Sequence, residues 1–185
     1  MKRTLAVLLA ILFLTGCSLK QSEMDSALDL RNQLLTDGYT CDVTVTAEYL
    51  EKKYTFAMHC SVKQDGKLLF KVISPDTIAG ITGNVSAEGG QFTFDDKALL
   101  FETVADGRIT PVTSPWLVFK GLRSGYIRGC EKYRNGMLVQ LNDSYEENAY
   151  QIDVLTDAHN IPISAEIYWQ GRRILLLQIE NFKFL

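Results

Sequence analysis

From Gly38 onward the chain alternates apolar and polar residues with a period of two. Cys41, Val43, Val45 and Ala47 are interleaved with Asp42, Thr44, Thr46 and Glu48. Tyr54, Phe56, Met58, Cys60 and Val62 are interleaved with Thr55, Ala57, His59 and Ser61. Two such runs separated by a short charged segment predict a β-hairpin with one buried face. Gln64-Asp65-Gly66 is a turn signal, and Leu68, Phe70 and Val72 carry the same face onto a third strand. Upstream the period is helical. Met24, Ala27, Leu28, Leu34 and Leu35 recur at helix spacing, Ser22 is suited to cap the start, and Asp37-Gly38 to end it. That makes one amphipathic helix of about 14 residues, close to the usual length.

Pro75-Asp76 stops the third strand, and Ile78 to Glu88 predicts another. Gly89-Gly90 then turns into Gln91 to Phe94, and Asp95-Asp96-Lys97 into Ala98 to Phe101. Ser114-Pro115 signals a second helix, a cap followed by proline in the first turn, with Trp116, Leu117, Phe119 and Leu122 as its apolar surface and Gly125 as its end. Tyr126 to Lys132 leads through the hairpin signal Arg134-Asn135-Gly136 into Met137 to Leu141. Tyr150, Ile152 and Val154, then Ile163, Ala165 and Ile167, alternate with polar residues, and Gln170-Gly171 turns into a last strand ending near Phe184. Short strands at regular spacing predict a curved antiparallel sheet.

The first sixteen residues break this pattern. Lys2 and Arg3 precede an apolar run from Leu5 to Leu14, the layout of a secretory signal peptide. The run is shorter than the roughly 20 residues a membrane span requires. Leu14-Thr15-Gly16-Cys17 resembles the bacterial lipobox, in which a leucine and two small residues precede a cysteine that is alkylated by a diacylglycerol donor. The expected organisation is a signal peptide over 1–16, a lipidated tether over 17–21 and one domain over 22–185. Cys17 is the lipidation site, and the protein is expected outside the cytoplasm, held by lipid on the cell membrane or the outer membrane.

Composition narrows the partners. Without residues 1–16 the chain has 169 residues, enough for one domain with a real core, and carries 17 basic against 22 acidic side chains. Mild acidity with no basic cluster argues against nucleic acid and against polybasic docking to anionic lipid. Three further cysteines remain, Cys41, Cys60 and Cys130, in a compartment where disulfides persist. A two-residue loop at Leu50-Glu51 sets Cys41 opposite Cys60, whereas a register shifted by two sets Cys60 opposite Val43. A bridge and two buried thiols are both open at this level, because cross-strand Cβ atoms lie ~4.5–5.5 Å apart and a disulfide needs ~3.5–4.5 Å.

Signatures of catalysis are missing from the sequence. It holds no HExxH, CxxC, GxSxG, P-loop or GxGxxG pattern. His59 falls on the polar face of a strand and His159 in the turn Asp157-Ala158-His159-Asn160. The pairs Asp95-Asp96 and Glu146-Glu147 fall in turns, where solvated acids outnumber glycosidase pairs facing one cleft. No enzyme activity, metal or cofactor is expected.

The order of elements resembles the LolA/LolB-like lipoprotein-carrier superfamily: a lipidated N-terminus, one amphipathic helix, a long antiparallel meander, a proline-started helix in mid-chain, and more meander. Phe70-Lys71-Val72-Ile73-Ser74-Pro75, followed by Gly80-Ile81, resembles the segment where a strand of that family ends at proline before a loop. The resemblance implies an α+β fold, a strongly curved antiparallel half-barrel with the N-terminal and mid-chain helices on its concave face. It also implies a hydrophobic ligand in the concavity, an acyl chain, lipid or lipoprotein. Val43, Val45, Phe56, Met58, Phe70 and Val72, with Trp116 and Phe119, are the candidate lining. Aromatics on such faces more often fill a core, and the alternative function is a non-catalytic module that regulates an envelope or spore-associated enzyme.

Overall fold

The computed structural model describes residues 18–49, 52–93 and 109–185. The signal peptide, Cys17, the loop at Leu50-Glu51 and the strand expected over Ala98 to Phe101 lie outside the described residues. Helix α1 spans Ser18–Thr36 and helix α2 Ser114–Ser124, the latter entered through a 3-10 turn at Pro111–Thr113. The strands are β1 (Tyr39–Tyr49), β2 (Lys52–Val62), β3 (Leu68–Ser74), β4 (Thr82–Ser86), β5 (Gly89–Thr93), β6 (Tyr126–Tyr133), β7 (Gly136–Asn142), β8 (Gln151–Thr156), β9 (Pro162–Trp169) and β10 (Arg172–Phe184).

All ten form one antiparallel sheet in the order β5-β4-β3-β2-β1-β10-β9-β8-β7-β6. It is two meanders joined where the last strand pairs with the first, Val45 opposite Leu177. The sheet does not close into a barrel, and the fold class is α+β as expected. Ten strands spaced about 4.8 Å apart would lie about 43 Å across if flat, far more than two helices of about 10 Å each can cover. Yet the inward positions are buried across the whole width, from Leu68, Phe70 and Val72 of β3 through Val43 and Val45 of β1 to Ala165 and Ile167 of β9 and Met137, Val139 and Leu141 of β7. The sheet therefore curls around its apolar face.

Turn chemistry fixes several joints. Gln170 and Gly171 both have positive φ, 50° and 75°, which suits the tight turn between β9 and β10. In β10 an extra residue bulges opposite Thr40 and Asp42, and Asn181 there adopts φ 52°. Its amide donates to Asp42 Oδ2 at 2.8 Å. With His59 Nδ1 at 2.7 Å from Oδ1, this holds the Asp42 carboxyl below its ordinary value. On the same outer face the Arg173 guanidinium donates to Glu166 and Glu48 at 2.6 and 3.2 Å, tying β9, β10 and β1. The Tyr168 hydroxyl donates to Glu166, which pushes its pKa up to about 12.

Some expectations need correction. Helix α1 begins at Ser18, four residues before the Ser22 start. Its buried stripe is Ala27, Leu30 and Leu34, while Leu28 and Leu35 lie about 100° round the helix and stay 41% and 44% exposed. Residues 75–80 form hydrogen-bonded turns, Ala79 N donating to Pro75 O at 3.0 Å, so the fourth strand is only Thr82–Ser86. The turn into β5 is at Ala87 and Glu88, since Ser86 pairs with Gly89. Ile163 is 44% exposed because the β8–β9 register slips between Leu155 and Thr156, which moves Pro162 onto the buried face in its place. Tyr54, two residues into β2, is also exposed. Helix α2 carries Thr113 as its cap residue, with Ser114 in the first turn donating to Pro111 O at 2.6 Å.

Candidate functional site

The six strand residues of the candidate lining lie together on the inner face. Val43 pairs with Met58 and Met58 with Val72, Val45 pairs with Phe56, and Phe70 stands opposite Cys60. All six are buried, between 0% and 5% exposed. The two helix residues pack on the same apolar layer from α2. Phe119 joins an aromatic cluster with its centroid 5.1 Å from Tyr39, which stacks at 5.3 Å on Phe182. Trp116 is half-buried against the core, with Lys120 Nζ 5.2 Å above its ring.

Both helices lie on the inner face of the sheet as expected, and Phe119 of α2 reaches Tyr39 of β1. Helix α1 packs on β6 and on α2, and α2 packs on β7 and β8. Gly121 permits that approach: a Cβ there would stand 3.1 Å from Ile152 Cδ1. Among the described elements the turn Pro111–Thr113 packs against β1.

Two arginines fasten this arrangement, and the sequence pattern did not single out either. Arg31 Nε and Nη2 donate to Leu122 O and Gly125 O, both at 2.7 Å. Arg123 donates to Leu34 O at 2.8 Å and to Gln64 O at 2.5 Å, joining the C-terminus of α1, the end of α2 and the β2–β3 turn. Cations at helix C-termini meet the unpaired carbonyls of the last turn. The nearby Tyr39 hydroxyl is deeply buried, and burial pushes its pKa up, with Arg123 pulling the other way. The available signal was the place of Arg31 one turn after Ala27, at the edge of the apolar stripe.

At its other end α1 borders a cleft of about 140 Å³. Glu23 and Ser26 of α1 face Lys132 and Asn135 of the β6–β7 hairpin and Asp157 and Asn160 of the β8–β9 loop. This lining is polar, unlike the inner face.

The Cys41–Cys60 register is the direct one, with Tyr49 opposite Lys52. Both cysteines are fully buried thiols in the structure. Contact with Cys41 and burial push the Cys60 pKa well up, which suppresses the thiolate needed for exchange. Any bridge therefore forms during folding. After oxidative refolding, peptide mapping without reduction is expected to recover Cys41 joined to Cys60. Recovery of both as free thiols refutes the bridge. Cys130 is half-buried near Arg31 and Glu23, its thiol raised by burial.

Among the described residues no helix is long and apolar enough to cross a membrane, and no three His, Cys, Asp or Glu residues gather to hold a metal. Residues 1–18 match the family described as prokaryotic membrane lipoprotein lipid attachment site. The chain is a lipid-anchored bacterial lipoprotein. Its place is extracytoplasmic, on a bacterial membrane, with Cys17 inside the matched segment.

No curated protein matches the lipoprotein in sequence. Solved structures similar to it include a LolA superfamily protein of Nitrosomonas europaea, 10% identical, TM-score 0.49, over 91% of this chain and 94% of the other. An uncharacterized conserved protein of Thermus thermophilus is 11% identical, TM-score 0.49, over 88% and 87%. LprF of Mycobacterium bovis is 10% identical, TM-score 0.42, over 88% and 93%.

Proposed function

We propose that this lipoprotein is a non-catalytic binding module that takes a hydrophobic ligand, an acyl chain or a lipid-bearing protein, against the inner face of its sheet. One observation carries the reading. One continuous apolar inner layer runs from β7 and β8, where α2 is seated, over β1, β2 and β3. Val43, Val45, Phe56, Met58, Phe70 and Val72 thus form an apolar wall beside the helices, in a protein whose anchor keeps it at a source of acyl chains.

Phe56→Ala separates a ligand wall from a filled core. In a packed core, truncating a buried phenylalanine costs typically ~3–5 kcal/mol. At a ligand wall the same change removes contacts to the ligand and spares much of the fold. The measurement pairs melting temperature with binding of a fluorescent fatty acyl probe, on residues 18–185 secreted without lipid. The expected result is saturable binding by wild type and at least tenfold weaker binding by Phe56→Ala at a modestly lowered Tm. If wild type binds neither acyl probe nor lipopeptide, and truncation only destabilises it, the interior is core and regulation of an envelope protein replaces this reading.

A further inference from the structure

The polar cleft beside α1 has no place in the binding of an apolar ligand, yet its position and its charges are specific. Helix α1 runs unbroken from Ser18, the residue bonded to the lipidated Cys17. At 1.5 Å per residue, Glu23 lies about 8 Å and Ser26 about 12 Å along the axis from Ser18. The headgroup region of one leaflet is about 5–8 Å deep, half the difference between whole and hydrocarbon thickness. An upright helix sets the near end of the cleft at the outer edge of that layer, and any tilt of the axis lowers the cleft into it.

Its charges are opposed but unpaired. Glu23 and Lys132 line the same cleft, and among the described residues neither makes an ion pair or a side-chain hydrogen bond. Asp157 Oδ1 accepts from the amides of His159 and Ile161 at 2.8 and 2.9 Å, which fixes the carboxylate in place in the β8–β9 loop. The side-chain amides of Asn135 and Asn160 add donors and acceptors on the same wall. An ammonium group and two carboxylates held apart around about 140 Å³ suit a ligand that carries both signs. A lone anion would meet Glu23 and Asp157 as repulsion, and a lone cation would meet Lys132.

We infer that this cleft binds a phosphoethanolamine headgroup of the membrane that carries the anchor, its phosphate on Lys132 and Asn135 and its ammonium on Glu23 and Asp157. A primary ammonium donates three hydrogen bonds to carboxylates, whereas a quaternary choline donates none. A glycerol headgroup brings a phosphate with no cation to balance the acids. The headgroup contact would fix the orientation of the domain on its tether. This inference needs only the lipid anchor, and the fate of the acyl-binding reading leaves it unchanged.

The test uses the full lipidated protein in nanodiscs of equal parts phosphatidylethanolamine, phosphatidylcholine and phosphatidylglycerol, with the lipids retained by the protein counted by native mass spectrometry. Phosphatidylethanolamine is expected to be retained at least fivefold over either other lipid. Lys132→Gln and Glu23→Gln should each reduce that preference below twofold with unchanged Tm, while Lys120→Gln, on α2, should leave it intact. Soluble O-phosphoethanolamine added to the same nanodiscs is expected to compete only in large excess over the lipid, and inorganic phosphate not at all. Equal retention of the three lipids, or a preference unmoved by both cleft variants, overturns the inference. Competition by inorganic phosphate as strong as by O-phosphoethanolamine overturns it too, since the cleft is then a plain anion site. Competition by O-phosphoethanolamine at concentrations matching the lipid also overturns it, by making the free compound the ligand.

Discussion

Cys17→Ala is expected to abolish fatty-acid labelling and leave the chain at its full precursor length. Cys17 carries the one thiol in the attachment site, the sulfur that the diacylglycerol donor alkylates, and cleavage after Gly16 follows that alkylation. Alanine has no sulfur to alkylate, so the peptidase meets a substrate it does not process. The difference is all or nothing. Burial of acyl chains contributes about 0.8 kcal/mol per methylene, and two or three chains hold a protein firmly where one holds it marginally. Labelled palmitate with gel mobility measures both steps together. Cys130→Ser is the control, because its cysteine lies on β6, far along the chain from the attachment site, and it should be labelled and processed like wild type. A labelled Cys17→Ala variant, or a wild type that takes up no label, contradicts the anchor.

Attachment was legible because a short linear segment carries it. The same holds for the meander. Strand positions such as Phe56, Met58 and Cys60 advertise one buried face by strict alternation, and Gln170-Gly171 marks its turn by residue type. What failed depends on geometry between segments. Ile163 obeys the alternation of its own strand and is exposed only because β8 and β9 slip at Thr156. Leu28 and Leu35 are apolar at helix spacing, yet the surface α1 meets selects the stripe through Ala27, Leu30 and Leu34. Which strands the helices meet is likewise a property of sheet curvature, which no local pattern encodes. The cleft at Glu23 and Lys132 joins residues more than a hundred positions apart whose types are ordinary on any surface, so composition read them as solvated charge.

Arg123→Ala is expected to be the most destabilising change outside the apolar core, by about 2–4 kcal/mol. One guanidinium serves three carbonyls, Leu34 O at 2.8 Å, Gln64 O at 2.5 Å and, at the longer distance of 3.4 Å, Lys63 O, and a hydrogen bond to a charged donor contributes about 1.5–3 kcal/mol. The two bonds to the β2–β3 turn are exposed to water, which places the sum below twice the upper value. The planar fork matters as well as the charge. Lysine has a single ammonium and cannot hold α1 and the β2–β3 turn in the same geometry, so Arg123→Lys should recover less than half of the loss. For a domain of this size each kcal/mol lowers Tm by about 2–4 °C, which puts the expected fall at roughly 4–16 °C. Arg31 grips the same helix pair from the other side, through Leu122 O and Gly125 O. Once either arginine is gone, α1 has lost its fixed seat on α2, and the second has less to hold. Chemical denaturation of the two single variants and the double variant should therefore show a combined loss smaller than the sum of the two. Strict additivity would mean that the arginines act on separate contacts and that α1 is seated by its apolar stripe alone.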